Sequence, residues 1–203
     1  LGAPFLPDED FDKNGVYSGS SYVDENGMHI FYTGNVKLPG DHDYTYSGRR
    51  ADTVLVESKD GRSFTGKKVV INTDDYPEGY SCHIRDPKVW KENGAYYMVL
   101  GARTSDDEGR ILLYRSDDLT KWSLVGEIGS NEKFGYMWEC PDMFELPTPD
   151  GGSKTVLLVN LNPGCIFGGS ATQYFIGQFD GKTFVPDQPV PTKWMDYGKD
   201  HYA

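Results

Sequence analysis

The sequence predicts an all-β fold of the propeller kind, on three observations. The segments 17–34, 84–102 and 138–161 share one plan: a short polar motif opens a strand, a glycine-containing turn follows, and a second apolar strand returns. Each is followed by a third strand ending in a turn, at 53–64, 111–122 and 172–184. The openings at 17, 84 and 138 are about 60 residues apart, and a strand-built period of tens of residues marks a propeller or array. Equivalent positions in such a fold converge on one axis, so side chains remote in sequence can build a single site.

In the first unit, YSGSSYVDENGMHIFYTG reads as a strand, an Asn-Gly turn and a second strand. The stretch 34–50 reads as a loop insertion before the third strand. In the second unit, IRDPKVWKENGAYYMVLGA repeats the plan, with Pro87 stiffening the turn into the strand. In the third, WECPDMFELPTPDGGSKTVLLVNL has a longer turn. The stretches 69–81 and 126–137 are polar and turn-rich and read as connectors. Continuing the spacing places a fourth opening near 200, where the chain reads MDYGKDHYA. The expectation is therefore three blades and the start of a fourth. A closed propeller uses 4 to 8 blades, and open sheet edges invite aggregation. Residues 1–203 are thus expected to be one partial propeller domain of a larger protein.

Composition narrows the function. The chain has 203 residues, net charge −11, 25% charged and 37% hydrophobic residues, which marks a soluble globular domain. That charge repels phosphate backbones and anionic membrane surfaces, so nucleic acid and membrane are not expected partners. A neutral sugar meets no such penalty. The 14 Tyr, 10 Phe and 4 Trp suit strands, and Tyr and Trp offer a flat apolar body with a polar tip to a carbohydrate. The three cysteines, Cys82, Cys140 and Cys165, match no zinc spacing and read as free thiols, which lean toward a reducing cytoplasm. The Asp41-His42-Asp43 cluster reads as a solvated loop. No metal or cofactor is expected.

Two acids stand out. Glu139 lies between Trp138 and Cys140 among apolar neighbours, and desolvation by the indole would raise a carboxyl pKa, as a general acid requires. Asp86 opens the second repeat beside Arg85, which can hold a carboxylate or a sugar hydroxyl. Each alone has a structural reading as a strand-end residue. Together the two carboxylates occupy matching repeat positions, with Asp200 as a third, and paired carboxylates are the equipment of glycoside hydrolysis. Asp142 reads as backbone support. Ser18 is suited to a sugar hydroxyl, and no histidine-base pattern or G-x-S-x-G elbow makes it a nucleophile. His83 reads as a polar strand-edge residue.

YSGS at 17–20, RDPKVW at 85–90, WECPDMFEL at 138–146, NPGCIFGGSATQYFIGQFDG at 162–181 and WMDYGKDHYA at 194–203 resemble glycoside hydrolase family 32. This is the family of invertases, levanases, exo-inulinases and sucrose-6-phosphate hydrolases. The resemblance implies a five-bladed β-propeller followed by a β-sandwich, and retaining hydrolysis of terminal β-D-fructofuranosides. It implies Glu139 as general acid/base, Asp86 as the transition-state stabiliser on fructose hydroxyls, and Arg85 as its helper. It puts Tyr17 and Ser18 against the fructosyl unit and Cys140 beside the acid/base. Asp196 and Lys199 match positions that influence substrate preference. The family's nucleophile is the Asp of a W-M-N-D-P-N-G motif, which residues 1–203 do not contain. The nucleophile is therefore expected outside this chain, together with the last blade and the sandwich, and the chain alone is expected to be inactive. The second reading is a non-catalytic sugar-binding propeller.

Overall fold

The computed structural model describes residues 5–129, 135–162, 169–188 and 193–197. The first sheet is an antiparallel meander of β1 (Val16–Asp24), β2 (Gly27–Lys37), β3 (Arg49–Ser58) and β4 (Lys68–Ile71), in spatial order. The second repeats it with β5 (Tyr80–Glu92), β6 (Ala95–Thr104), β7 (Gly109–Ser116) and β8 (Ser123–Ile128). The third has β9 (Met137–Pro147), β10 (Ser153–Asn162), β11 (Ala171–Phe179) and β12 (Phe184–Pro186), with β13 (Lys193–Trp194) also on β11. A single 3-10 turn, Thr73–Asp75, is the one helical element among the described residues. These are three consecutive blades. Residues 198–203, with most of the expected fourth opening, lie outside the described residues.

Two boundaries differ from the sequence reading. The fourth strands of blades one and two, β4 and β8, run into the stretches read as polar connectors, because their alternation is too weak and too short to show as a strand in sequence. The loop insertion is shorter than expected, 38–48, because β2 and β3 pair out to Lys37 and Arg49.

The apolar runs are explained by burial on two faces. In β6, Tyr97 and Val99 join a core with Trp138, Met143, Leu157 and Phe175 of the third blade. Their alternates Met98, Leu100 and Ala102 join a core with Phe31, Leu55 and Ile71 of the first. β7 does the same, with Ile111 and Leu113 on one side and Leu112 and Tyr114 on the other. A sheet covered on both faces reads as continuous apolar sequence, as in YYMVLGA and ILLY. The first strands of neighbouring blades touch, β1 with β5 and β5 with β9. That contact carries the three opening motifs to one place.

Candidate active site

Each opening strand is broken by a one-residue bulge at its motif. In β1, Tyr17 faces Thr33 and Gly19 faces Tyr32, leaving Ser18 extra. In β5, Arg85 faces Gly101 and Lys88 faces Val99, so Asp86 and Pro87 share one partner position. In β9, Glu139 faces Asn160 and Asp142 faces Leu158, so Cys140 and Pro141 do the same. Proline has no N–H to lose to the ladder, which suits it to a bulge. Asp86 and Cys140 have positive φ, 65° and 42°. A bulge re-aims side chains, so consecutive residues that would face opposite sides of a regular strand can serve one site.

The register corrects one expectation. Asp86 and Glu139 do not occupy matching positions. Glu139 matches Arg85 and Tyr17, and Asp86 matches Cys140 and Ser18. The repeat therefore supplies the two acids from neighbouring positions of adjacent blades. Side-chain geometry brings them together all the same. Arg85 Nη2 lies 2.5 Å from Glu139 Oε1, and Arg85 Nε lies 3.8 Å from Asp86 Oδ2. One guanidinium thus spans both carboxylates.

Asp86 is 5% exposed. Its Oδ2 accepts the Cys140 N–H at 2.9 Å, and its own N–H donates to Thr33 Oγ1 at 2.9 Å. Burial pushes its carboxyl above the usual range. The Cys140 N–H and Arg85 pull it back, and the Glu139 charge adds to the rise. Glu139 also accepts from Asn162 Nδ2 at 3.4 Å, and Asn160 Nδ2 donates to the carbonyls of Glu139 and Cys140 at 3.2 and 3.3 Å. The expected indole contact of Glu139 is not what the strand provides. Trp138 points into the core, where its ring packs against Phe175 at a tilt of 39°, because adjacent strand residues alternate faces.

Cys140 is a free thiol. Burial pushes it up to about 12, helped by the Asp86 charge, while a hydrogen bond with the Ser18 side chain opposes the rise. Ser18 is therefore in the same cluster. Tyr17 is 38% exposed, and its hydroxyl lies 3.5 Å from Arg49 Nη1. Asp196 is exposed just beyond β13. Lys199, Asp200 and Cys165 lie outside the described residues. Asp142 forms an ion pair with Lys88 at 2.9 Å, joining the two matching bulges across the blade seam.

Sequence reasoning missed several members. His83 Nδ1 accepts from Arg85 Nη1, so it braces the guanidinium from the far side. Burial and then the charges of Arg85, Arg49 and Arg103 push its pKa down to about 4. Its proximity to the R-D-P motif was the available signal. Asn160 and Asn162 carried none, because an asparagine at a strand end is common.

The sequence profile described as "Glycosyl hydrolases family 32 N-terminal domain" matches residues 1–203. The chain belongs to glycoside hydrolase family 32. Among its family 32 relatives, the sucrose-6-phosphate hydrolase of Klebsiella pneumoniae is 37% identical, with 98% of this chain and 41% of the relative covered. The levanase of Bacillus subtilis is 37% identical over all of this chain and 29% of its own length. A fructofuranosidase from Schwanniomyces occidentalis, solved with fructose, superposes with TM-score 0.75 at 30% identity, covering 97% of this chain and 38% of that one. The family 32 chain described here thus spans less than half the length of these relatives.

Proposed function

We propose that this chain is part of an enzyme that hydrolyses terminal, non-reducing β-D-fructofuranosides with retention, on sucrose, sucrose 6-phosphate or fructans. The observation that carries the reading is the bridge made by Arg85 between Glu139 and Asp86 at the seam of two blades. Family 32 relatives that act on sucrose phosphate and levan support it, as does a fructofuranosidase solved with fructose.

In this reading an aspartate outside residues 1–203 supplies the nucleophile. Its carboxylate oxygen bonds to the anomeric carbon of fructose while the glycosidic C–O bond breaks, and Glu139 gives its proton to the departing oxygen. Glu139 then takes a proton from water, the water oxygen bonds to the anomeric carbon, and the aspartate leaves. Asp86 binds fructose hydroxyls, held ionised against its burial by Arg85 and the Cys140 N–H. Tyr17 and Ser18 border the fructosyl unit. Asp196 and Lys199 act on substrate preference.

The experiment is fructose release from sucrose, sucrose 6-phosphate, inulin and levan by the full-length enzyme and its Glu139→Gln variant. The variant is expected to lose about 10²–10⁴-fold in kcat. Turnover near the unmodified value overturns the role of Glu139. Sugar binding without any turnover in the unmodified enzyme favours a non-catalytic propeller instead.

A further inference from the structure

Tyr136 stands just ahead of β9, half-buried, and takes no part in the mechanism above. Its N–H donates to the Asn162 carbonyl at 3.2 Å, beside the last β9–β10 pair, Met137 with Asn162. Its hydroxyl donates to Asn162 Oδ1 at 3.4 Å, and Asn162 Nδ2 donates to Glu139 Oε2 at 3.4 Å. A line of side chains thus runs from Tyr136 to Glu139. The ring of Tyr136 is seated as well. The Arg103 guanidinium lies over it, 4.3 Å from its centre, and over Tyr46 at 5.2 Å. Asp107 Oδ1 accepts from Arg103 Nε at 2.9 Å and from Nη2 at 2.7 Å, and Nη2 also donates to Tyr46 Oη at 3.1 Å. The guanidinium plane is therefore fixed by the β6–β7 turn and by the 38–48 loop, and it offers Tyr136 a fixed cationic partner. Tyr46 belongs to the first blade, Arg103 and Asp107 to the second, and Tyr136 leads into the third.

A side-chain amide has an acceptor on one side and donors on the other. With the Tyr136 O–H on its oxygen, Asn162 turns its N–H group to the Glu139 carboxylate. Flipped over, Oδ1 would meet Oε2, acceptor against acceptor. Arg85 holds the other carboxylate oxygen, Oε1. A charged donor on Oε1 leaves Oε2 as the oxygen to carry a transferable proton. The Asn162 N–H then takes one lone-pair direction of Oε2 and fixes where the other points.

We propose that Tyr136 and Asn162 are positioning residues for the acid/base, seated by Arg103: they hold Glu139 Oε2 in the orientation that delivers its proton to the departing oxygen. This rests on the fructofuranosidase reading above. All three act through Glu139, and none of them exchanges a proton with the sugar.

The test compares the full-length enzyme with its Tyr136→Phe, Asn162→Ala and Arg103→Met variants, on sucrose and on β-D-fructofuranosyl fluoride, whose fluoride departs without a proton. Tyr136→Phe removes one oxygen and keeps the ring on Arg103, so cooperative unfolding should be retained. Tyr136→Phe and Arg103→Met are expected to lower kcat/KM for sucrose by about 10-fold and Asn162→Ala by about 10–100-fold, with less than about 3-fold change for the fluoride. Arg103→Lys, which keeps a cation beside the ring, should recover part of the loss. In a Glu139→Gln background Tyr136→Phe should cost nothing further, because residues acting through one group are not additive. Equal losses on both substrates overturn the proposal, as does a further loss in the Glu139→Gln background or unchanged sucrose turnover in Tyr136→Phe. If the unmodified enzyme releases fructose from neither substrate, the hydrolase reading has failed and crystal structures decide the positioning. A Glu139 carboxylate swung away from residue 162 in Tyr136→Phe upholds it, and an unmoved one overturns it.

Discussion

Arg85 and Glu139 are 54 positions apart and meet at 2.5 Å across the seam between the second and third blades. The same guanidinium reaches toward Asp86 and is braced by His83. Its planar fork can face three neighbours at once, which an ammonium on a flexible stem does not reproduce. Arg85→Lys is expected to lower kcat/KM by about 10–100-fold, with cooperative unfolding retained. Fructose release and a thermal melt check it. Full activity in the variant would show that charge alone suffices.

Burial of the Asp86 carboxylate works against stability at neutral pH. Its burial raises the carboxyl pKa, so the cost of ionisation is absent below the ordinary carboxylate range and present at neutral pH. Asp86→Asn removes the charge and keeps an acceptor for the Cys140 N–H. The melting temperature at pH 7 is expected to stay level or rise, while activity falls by about 10²–10⁴-fold. A drop of many degrees would mean that the Arg85 attraction outweighs the burial.

His83 imposes a pH slope of the opposite sense. Its folded pKa is about 4, below the ordinary histidine value of 6.5. The unfolded chain therefore binds the proton first. Stability from this group is complete above about pH 6.5 and is lost as pH falls toward about 4, by about 1–3 kcal/mol. His83→Gln should flatten that part of the stability curve, measured by denaturant midpoints between pH 7 and pH 4. An identical slope in the variant would remove His83 from the account.

Gly101 faces Arg85 across the β5–β6 ladder, and a Cβ there would stand 2.1 Å from the Trp138 carbonyl oxygen. The clash is with backbone of the next blade and cannot be relieved by a rotamer. Gly101→Ala is expected to cost about 1–3 kcal/mol and to weaken the site, because it pushes β9 and Glu139 away from Arg85. Urea unfolding together with kcat/KM tests both effects in one variant.

Much of the fold was legible because the repeat is written in local chemistry. Turn glycines at Gly27 and Gly94, alternating apolar runs and polar openings at Tyr17, Arg85 and Glu139 each report on their own segment. The fourth strands, β4 and β8, were not legible, since short edge strands with one weakly buried face look like loops. Of the site, the motifs carrying Asp86 and Glu139 were readable. Asn160 and Asn162 were not, and for His83 nearness to the R-D-P motif was a signal that residue type and spacing alone did not turn into a role, because they say nothing about which side chain will brace another.

By itself the sequence determined three strand-rich units, their order and the motif that opens each. Tertiary structure alone decided which atoms face one another. Each opening strand carries a single extra residue at the same place, and Glu139 and Arg85 are both the last residue paired before it, so Glu139 corresponds to Arg85 and not to Asp86. Whether a side chain enters the core, as Trp138 does, or the shared site, as Glu139 does, follows from pairing across the sheet, and pairing is a long-range property that no local run of residues encodes.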